Sequence, residues 1–255
     1  MDAQEFADRL DDRLDTDAYT STDASANGLQ IGPGDRQVER AAFAVDAAVE
    51  TIEAATAQNA DILVAHHGIS WGGIDRVTDR EYDRISAAIE GDVALYAGHL
   101  PLDGHQQLGN AAGVADLLGL TDREPFGTHG GEYIGQQGRF ADPRSASDVA
   151  ETLSSNLDTA GQEVQVLAFG PSDVEAVAIV TGSGVDWLDE AVAAGADALI
   201  TGEGKQSVYY EARESEITVI LAGHYATETF GVRSLQNLVA DWGIETTFID
   251  HPTGL

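Results

Sequence analysis

The chain has 255 residues, 44 of them Asp or Glu and 13 of them Lys or Arg, which gives a formal net charge of −31 at pH 7. It has no cysteine, which excludes disulfide bonds and thiolate metal sites. No apolar run approaches the roughly 20 residues needed to cross a bilayer, and no basic stripe favours nucleic-acid binding. We therefore expect a soluble, cytoplasmic globular protein. Because salt screens the repulsion between so many carboxylates, we also expect a halophilic host.

Short apolar runs alternate with segments of helical period through the first half of the chain. The runs predict strands at 41–46, 61–67 and 93–99, and the periodic segments predict helices at 49–60, 80–91 and 109–120. After the third strand, Pro101 is expected to exclude a regular helix through "HLPL". Strands that alternate with helices indicate βαβ units and a mostly parallel sheet.

The middle of the chain breaks this alternation, which then resumes. A glycine-rich hairpin is predicted within 127–163, followed by a helix capped by Ser145 or Ser147. Beyond it, strands are expected at 164–170, 176–182, 197–204 and 216–224. Helices are expected at 185–196, at 207–215 and from about Tyr225 to Trp242.

The two halves of the sequence resemble each other. Residues 42–68 align without gaps on 178–204, with eight of 27 positions identical, and "AGHLPLD" at 97–103 matches "AGHYATE" at 222–228. We therefore predict an α/β fold of duplicated halves, with mainly parallel sheets flanked by helices in three layers. Residues 1–255 are expected to form one compact unit. Its pseudo-repeated halves, 1–127 and 164–255, are joined by the hairpin-plus-helix segment 128–163.

Histidines and carboxylates collect at the ends of the predicted strands. The carboxyl ends of strands in an open α/β sheet are where such folds bind ligands. Some of these residues also have a simpler interpretation: Glu228 as a carboxylate favoured by a helix dipole, Asp103 as a turn or cap residue, and the pair His66 and His67 as partly buried rings. The residues at these positions are His66, His67, His99, Asp103, Glu203, His224 and Glu228.

Three imidazoles and two carboxylates suit zinc, iron, manganese or cobalt better than calcium or magnesium. Five ligands are too many for one catalytic ion with an open position, so we predict two divalent ions that share a carboxylate, with Asp103 as the bridge. Adjacent strand residues point to opposite faces, so one histidine would bind each ion. His99 and Glu203 are predicted to orient ligands or to transfer protons. The predicted ligands are His66, His67, Asp103, His224 and Glu228.

The chain resembles the NIF-three-like proteins, often labelled GTP cyclohydrolase type-two homologues. The resemblance covers almost the whole sequence and rests on "NGLQIG" at 27–32, "AVDAA" around Asp46, "HH" at 66–67, "HLPLDGHQQLGNA" from His99, "TGEGK" from Thr201 and "AGHYATE" from Ala222. It implies a two-metal centre on the same five ligands, a duplicated α/β fold and a ring-shaped homohexamer. Gly68 and Gln206 depart from residues common in the family, and the segment 128–163 is too short for the inserted domain of longer members.

Three functions are compatible with these features. The first is a metal-dependent hydrolase, such as a GTP cyclohydrolase-like enzyme, in which a bridging hydroxide attacks a small-molecule substrate. Lys205, the one lysine in the chain, would then contact a phosphorylated substrate. The second is a metal carrier or iron-handling regulatory protein without turnover. The third is a scaffold ring whose metals are vestigial.

Overall fold

The helices and strands of the computed structural model, which describes residues 1–255, follow the predicted order closely. The helices are α1 (Ala3–Leu14), α2 (Val49–Ala57), α3 (Asp79–Glu90), α4 (Leu100–Gly104), α5 (Asn110–Leu118), α6 (Ala146–Asn156), α7 (Leu188–Ala193), α8 (Val208–Glu214) and α9 (His224–Asp241). The strands are β1 (Gly28–Ile31), β2 (Arg40–Asp46), β3 (Ile62–His67), β4 (Ala94–Ala97), β5 (Thr121–His129), β6 (Glu132–Ser145), β7 (Gln165–Ala168), β8 (Asp173–Ile179), β9 (Ala198–Thr201), β10 (Thr218–Leu221) and β11 (Glu245–Phe248). Short 3-10 turns cover Thr16–Tyr19 and Gly184–Trp187. No helix is both long enough and apolar enough to span a membrane.

The chain divides into two compact units. Unit 1 comprises Met1–Leu102 with Gly231–His251, and unit 2 comprises Asp103–Phe230 with Pro252–Leu255. The α/β class with sheets flanked by helices is confirmed. The single three-layer body and its pseudo-repeated halves stay predictions.

Unit 1 is built on a five-stranded sheet in the order β1-β4-β3-β2-β11. The pairs β4-β3, β3-β2 and β2-β11 are parallel, and only the edge strand β1 is antiparallel. The core contains buried Ile52, Leu63 and Leu95, and α1 buries its apolar stripe of Phe6 and Leu10. The carboxyl ends of the parallel strands β2, β3 and β4 therefore meet at one edge of the sheet.

Unit 2 contains a six-stranded sheet in the order β5-β6-β8-β9-β10-β7. Its centre, β8-β9-β10, is parallel, and the outer pairs are antiparallel. The predicted hairpin is β5-β6, where Gly130 and Gly131 adopt positive φ angles of 62° and 103° that suit a two-residue turn. Ser145 caps α6 as predicted, because its side chain accepts a hydrogen bond from the Asp148 amide at 3.1 Å.

One hydrogen-bonding arrangement occurs in both units. In unit 1, Asp61 Oδ2 accepts hydrogen bonds from two backbone amides at the start of β2, at 2.8 and 2.9 Å. In unit 2, Asp197 Oδ2 accepts from the amides of Glu175 and Ala176 in β8, at 2.9 and 2.8 Å. Asp61 and Asp197 are aligned, identical residues of the sequence repeat. The two aligned residues therefore make the same kind of contact in each unit.

The expectation that Pro101 excludes a helix was wrong. Pro101 lies in the first turn of α4, and the Leu102 amide donates to the His99 carbonyl at 2.8 Å. Proline is tolerated there because amides in the first turn have no partner within the helix. Asp103 therefore lies on helix α4, six residues after the last residue of β4.

Candidate metal centre

The adjacent histidines end β3 in unit 1, and both rings are held through Nδ1. His66 is fully buried, and its Nδ1 lies 3.0 Å from the Gly98 carbonyl oxygen. Nδ1 of His67 lies 2.9 Å from Oδ1 of Asp46, at the end of β2. Because a carbonyl or carboxylate oxygen accepts a hydrogen bond from Nδ1–H, the neutral ring carries its proton on Nδ1, and Nε2 is the nitrogen whose lone pair can bind a metal.

A third histidine follows β4 and is held in the same way. Nδ1 of His99 lies 2.9 Å from Oδ1 of Asp23, whose side chain is 1% exposed. Asp23 also accepts hydrogen bonds from the amides of Ser25 and Leu100 and from Nδ2 of Asn27, at 2.8 to 3.0 Å. Burial alone would raise the pKa of Asp23, but the hydrogen bonds and the imidazole lower it to about 2. Asp23 is therefore a fixed anion behind His99.

These three imidazoles form one group in unit 1. The ligand nitrogens of His66, His67 and His99 lie within 4.8 Å of one another. The ring centroids of His66 and His67 are 4.6 Å apart, so the strand end brings together two rings that a regular strand would separate. His99, predicted to orient ligands or to transfer protons, lies among candidate ligands.

Unit 2 places a histidine and a glutamate on the first turn of α9. Nε2 of His224 lies 3.2 Å from Oε1 of Glu228, and its Nδ1 lies 3.2 Å from Oε1 of Glu203. Burial favours the neutral ring, but the two carboxylates outweigh it and raise the pKa of His224 to about 9. In the metal-free chain, His224 is therefore a cation at neutral pH.

Glu203 follows β9 and contacts His224 from the side opposite Glu228. A hydrogen bond from the Ser183 hydroxyl lowers the pKa of Glu203, burial opposes this effect, and the charge of His224 reinforces it. Glu203 is consequently ionised at neutral pH, and 44% of its side chain is exposed. It has the charge and the solvent access that a proton acceptor needs.

Asp103 is buried in unit 2 and oriented by neighbours. Its Oδ1 accepts hydrogen bonds from Asn110 Nδ2 at 2.7 Å and from the Thr181 hydroxyl at 3.3 Å. One of its carboxylate oxygens lies within 4.8 Å of one of Glu228. Gly182, with a φ of 59°, leaves the space that Glu228 occupies, since a Cβ there would overlap Oε1 of Glu228. Two buried carboxylates this close are stabilised by a cation.

The side chains of each unit have the chemistry of a metal site. Unit 1 contains three imidazole rings whose tautomers are fixed by hydrogen-bond acceptors at Nδ1. Unit 2 contains two buried carboxylates and one imidazole. Nitrogen and oxygen ligands without thiolates suit zinc, iron or manganese. These groups could hold metal ions. The number of ions and the joint use of all five predicted ligands stay predictions.

The family model described as Duf34/NIF3 (NGG1p interacting factor 3) matches residues 1–254 of the chain. The chain belongs to the Duf34/NIF3 family. This confirms the resemblance seen in the sequence motifs.

Relatives of this NIF3 family chain match it from end to end. A Halobacterium salinarum protein named GTP cyclohydrolase 1 type 2 homolog is 60% identical, and one of the same name from Pyrococcus abyssi is 42% identical, each with 100% of both chains covered. The crystal structure of TTHA1606 from Thermus thermophilus is 36% identical and has a TM-score of 0.90, again with 100% of both chains covered. The fold is therefore that of the solved NIF3 superfamily proteins.

In this NIF3 family chain, several side chains that orient the candidate ligands were given no role by the sequence analysis. Asp23 and Asp46 orient His99 and His67, and Asn110 and Thr181 orient Asp103. With 44 acidic residues, no spacing marks Asp23 or Asp46 as special. Only the position of Asp46 at the end of a strand beside β3 could have indicated its role.

Proposed function

We propose that this chain is a dinuclear metal-dependent hydrolase of small molecules. In this proposal, the ligands of two divalent cations are those predicted from the sequence: His66, His67, Asp103, His224 and Glu228. The observation that carries it is the fixed Nδ1 of each histidine in unit 1, which leaves Nε2 as a ligand. Metal-binding histidines are generally held by such an acceptor.

When bound, a pair of divalent cations would acidify a water molecule and polarise the substrate group under attack. Side chains of the protein would transfer the protons. Glu203 is ionised and partly exposed, so it can accept a proton and return it to a leaving group. The buried carboxylates Asp103 and Glu228 would supply the negative charge that keeps the cations in place.

The name of the Halobacterium and Pyrococcus relatives suggests a substrate. A GTP cyclohydrolase-like reaction would open a purine ring by hydrolysis, so cyclic amidines and nucleotides are the first compounds to test. The structure weakens the predicted role of Lys205 in phosphate binding, because its Nζ lies 2.5 and 2.6 Å from the two oxygens of Asp186. A phosphate would have to compete with that carboxylate.

The decisive experiment combines metal content with turnover. Protein prepared in high salt and loaded with zinc, iron or manganese is screened against nucleotides and cyclic amides, as wild type and as Asp103→Ala. The control is Asp116→Ala, since the Asp116 side chain is 68% exposed and pairs with Arg123. We expect Asp103→Ala to lose bound metal and at least about 100-fold in kcat/KM, and Asp116→Ala to keep both. Equal turnover in wild type and Asp103→Ala would refute the proposal.

A metal carrier is the second candidate, because the histidines are partly open to solvent. The side chains of His67, His99 and His224 are 19%, 20% and 26% exposed. Exposed ligands allow a chelator or partner to reach the metal. A carrier would release its metal within the time of a chelator assay and hydrolyse nothing in the screen, whereas a hydrolase would retain the metal.

Assembly and location belong to the same proposal. We propose a homohexamer, as the resemblance to NIF-three-like proteins implies, in the cytoplasm. Light scattering at high salt measures the mass directly, and a monomeric mass near 26.8 kDa would refute the hexamer.

A further inference from the structure

A cleft of about 740 Å³ lies in unit 1, beside the segment that follows the paired histidines. It has the size of a small-molecule site. Apolar, aromatic and charged side chains line it together, among them Ile69, Trp71, Ile74, Arg76, Arg80 and Glu81.

Trp71 connects this cleft with the histidines. Its ring centroid lies 4.9 Å from that of His99 and 6.0 Å from that of His67. The indole Nε1 donates a hydrogen bond to the Gly68 carbonyl at 3.1 Å, which fixes the orientation of the ring. The residue nevertheless remains 43% exposed. An exposed, oriented indole is a surface on which a planar ring can stack.

The cleft also contains positive charge, which is scarce in this chain of 13 basic and 44 acidic residues. Arg80 pairs with Glu81 at 3.1 Å. Arg76 forms no salt bridge, although Asp75 also lines the cleft. A free guanidinium beside an aromatic surface can bind a phosphate or carboxylate through paired hydrogen bonds.

We propose that this cleft binds a planar aromatic ring that carries an anionic group, with the ring stacked on Trp71 and the anion bound by Arg76. The inference rests on the proposed function and deepens it, because it names the class of substrate that the metal centre would act on. A ring stacked on Trp71 would lie beside His67 and His99, where an attack on it could take place.

The test uses isothermal titration calorimetry on the full chain, both metal-loaded and chelator-treated, with three probes. Adenosine 5′-monophosphate has the ring and the anion, adenosine has the ring alone, and ribose 5-phosphate has the anion alone. We expect the nucleotide to bind about tenfold more tightly than either fragment. The chelator-treated sample shows whether the phosphate binds only through a metal.

Substitutions assign the two contacts. Trp71→Leu should weaken nucleotide binding about tenfold, while Trp71→Phe, which keeps a ring, should stay within about threefold. Arg76→Gln should weaken the nucleotide about fivefold and leave adenosine unchanged. Arg84→Gln is the matched control, because Arg84 lies on the same helix as Arg80, α3, but outside the cleft. Circular dichroism of each variant verifies folding.

The outcomes separate this inference from the proposed function. The proposed binding site in the cleft is refuted if nucleotide affinity depends only on the metal, or if it is unchanged in Trp71→Leu and Arg76→Gln. If both substitutions weaken binding but the metal-loaded wild type hydrolyses nothing, the binding site in the cleft is supported and the hydrolase proposal is refuted. If a substrate is hydrolysed by both variants with the KM of the wild type, the hydrolase proposal is supported and the binding site in the cleft is refuted.

Discussion

Asp23→Asn should destabilise the metal-free protein at neutral pH. Asp23 accepts four hydrogen bonds in a buried position, and its pKa falls from 3.8 to about 2. A lowering of this size corresponds to about 2 to 3 kcal/mol of folding free energy held by the ionised form. Asparagine also turns an NH₂ group toward donors that require an acceptor. We therefore expect a loss of at least about 2 kcal/mol.

The pH dependence follows from the direction of the shift. A carboxylate whose pKa is lowered on folding stabilises the protein above the unfolded pKa, and this stabilisation is lost as pH falls through the folded pKa. The difference between wild type and Asp23→Asn should therefore be full above about pH 4 and shrink toward about pH 2.

Urea unfolding of chelator-treated protein, at one fixed high salt concentration, measures both effects. Asp46→Asn is the control, because Asp46 also binds a histidine but 39% of its side chain is exposed. We expect it to cost less than about 1 kcal/mol. An unfolding free energy of Asp23→Asn within about 0.5 kcal/mol of wild type would refute the role assigned to the buried carboxylate.

Three further outcomes are expected of the metal centre. Metal binding at pH 7 should release a proton from His224, because its pKa is about 9 in the metal-free chain. Calorimetry in buffers of different ionisation enthalpy should detect this proton. The apparent affinity for the metal should also rise as the pH approaches 9. Asp46→Asn should weaken metal binding about 10- to 100-fold in competition with a chelator, through His67. Gly182→Ala should displace Glu228 and lower the metal content measured by elemental analysis. The control is Gly119→Ala, because Gly119 has a similar φ of 69° but nothing within 4 Å of an added Cβ; normal metal content in Gly182→Ala would contradict the packing argument.

The ends of the parallel strands were predictable, and the loops that support them were not. An apolar run that ends in two histidines identifies both the strand and the end of it that carries candidate ligands, and β3 lies close to its predicted bounds. The start of α9 also lies close to its prediction. The edge strands β1 and β11 were missed, since their residues, "GLQI" and "ETTF", mix polar with apolar side chains and form no continuous apolar run. Asp23 lies in an irregular loop, and its role depends on contacts with His99 and Leu100, which are 76 and 77 positions away in the sequence.

The helix at Pro101 was also not predictable from the sequence. Proline argues against a helix interior, but the rule does not apply to the first turn, and the start of a five-residue helix cannot be located from periodicity. The pairing of Lys205 with Asp186 likewise depends on a fold contact between residues 19 positions apart.

That ion pair has a practical use. Lys205 supplies the one side-chain amine of the chain, and 55% of that side chain is exposed. An amine-reactive dye would therefore attach to a single internal position, close to Glu203. Acylation removes the positive charge that Asp186 binds, so the labelled protein would also report whether this salt bridge orders the loop after β9.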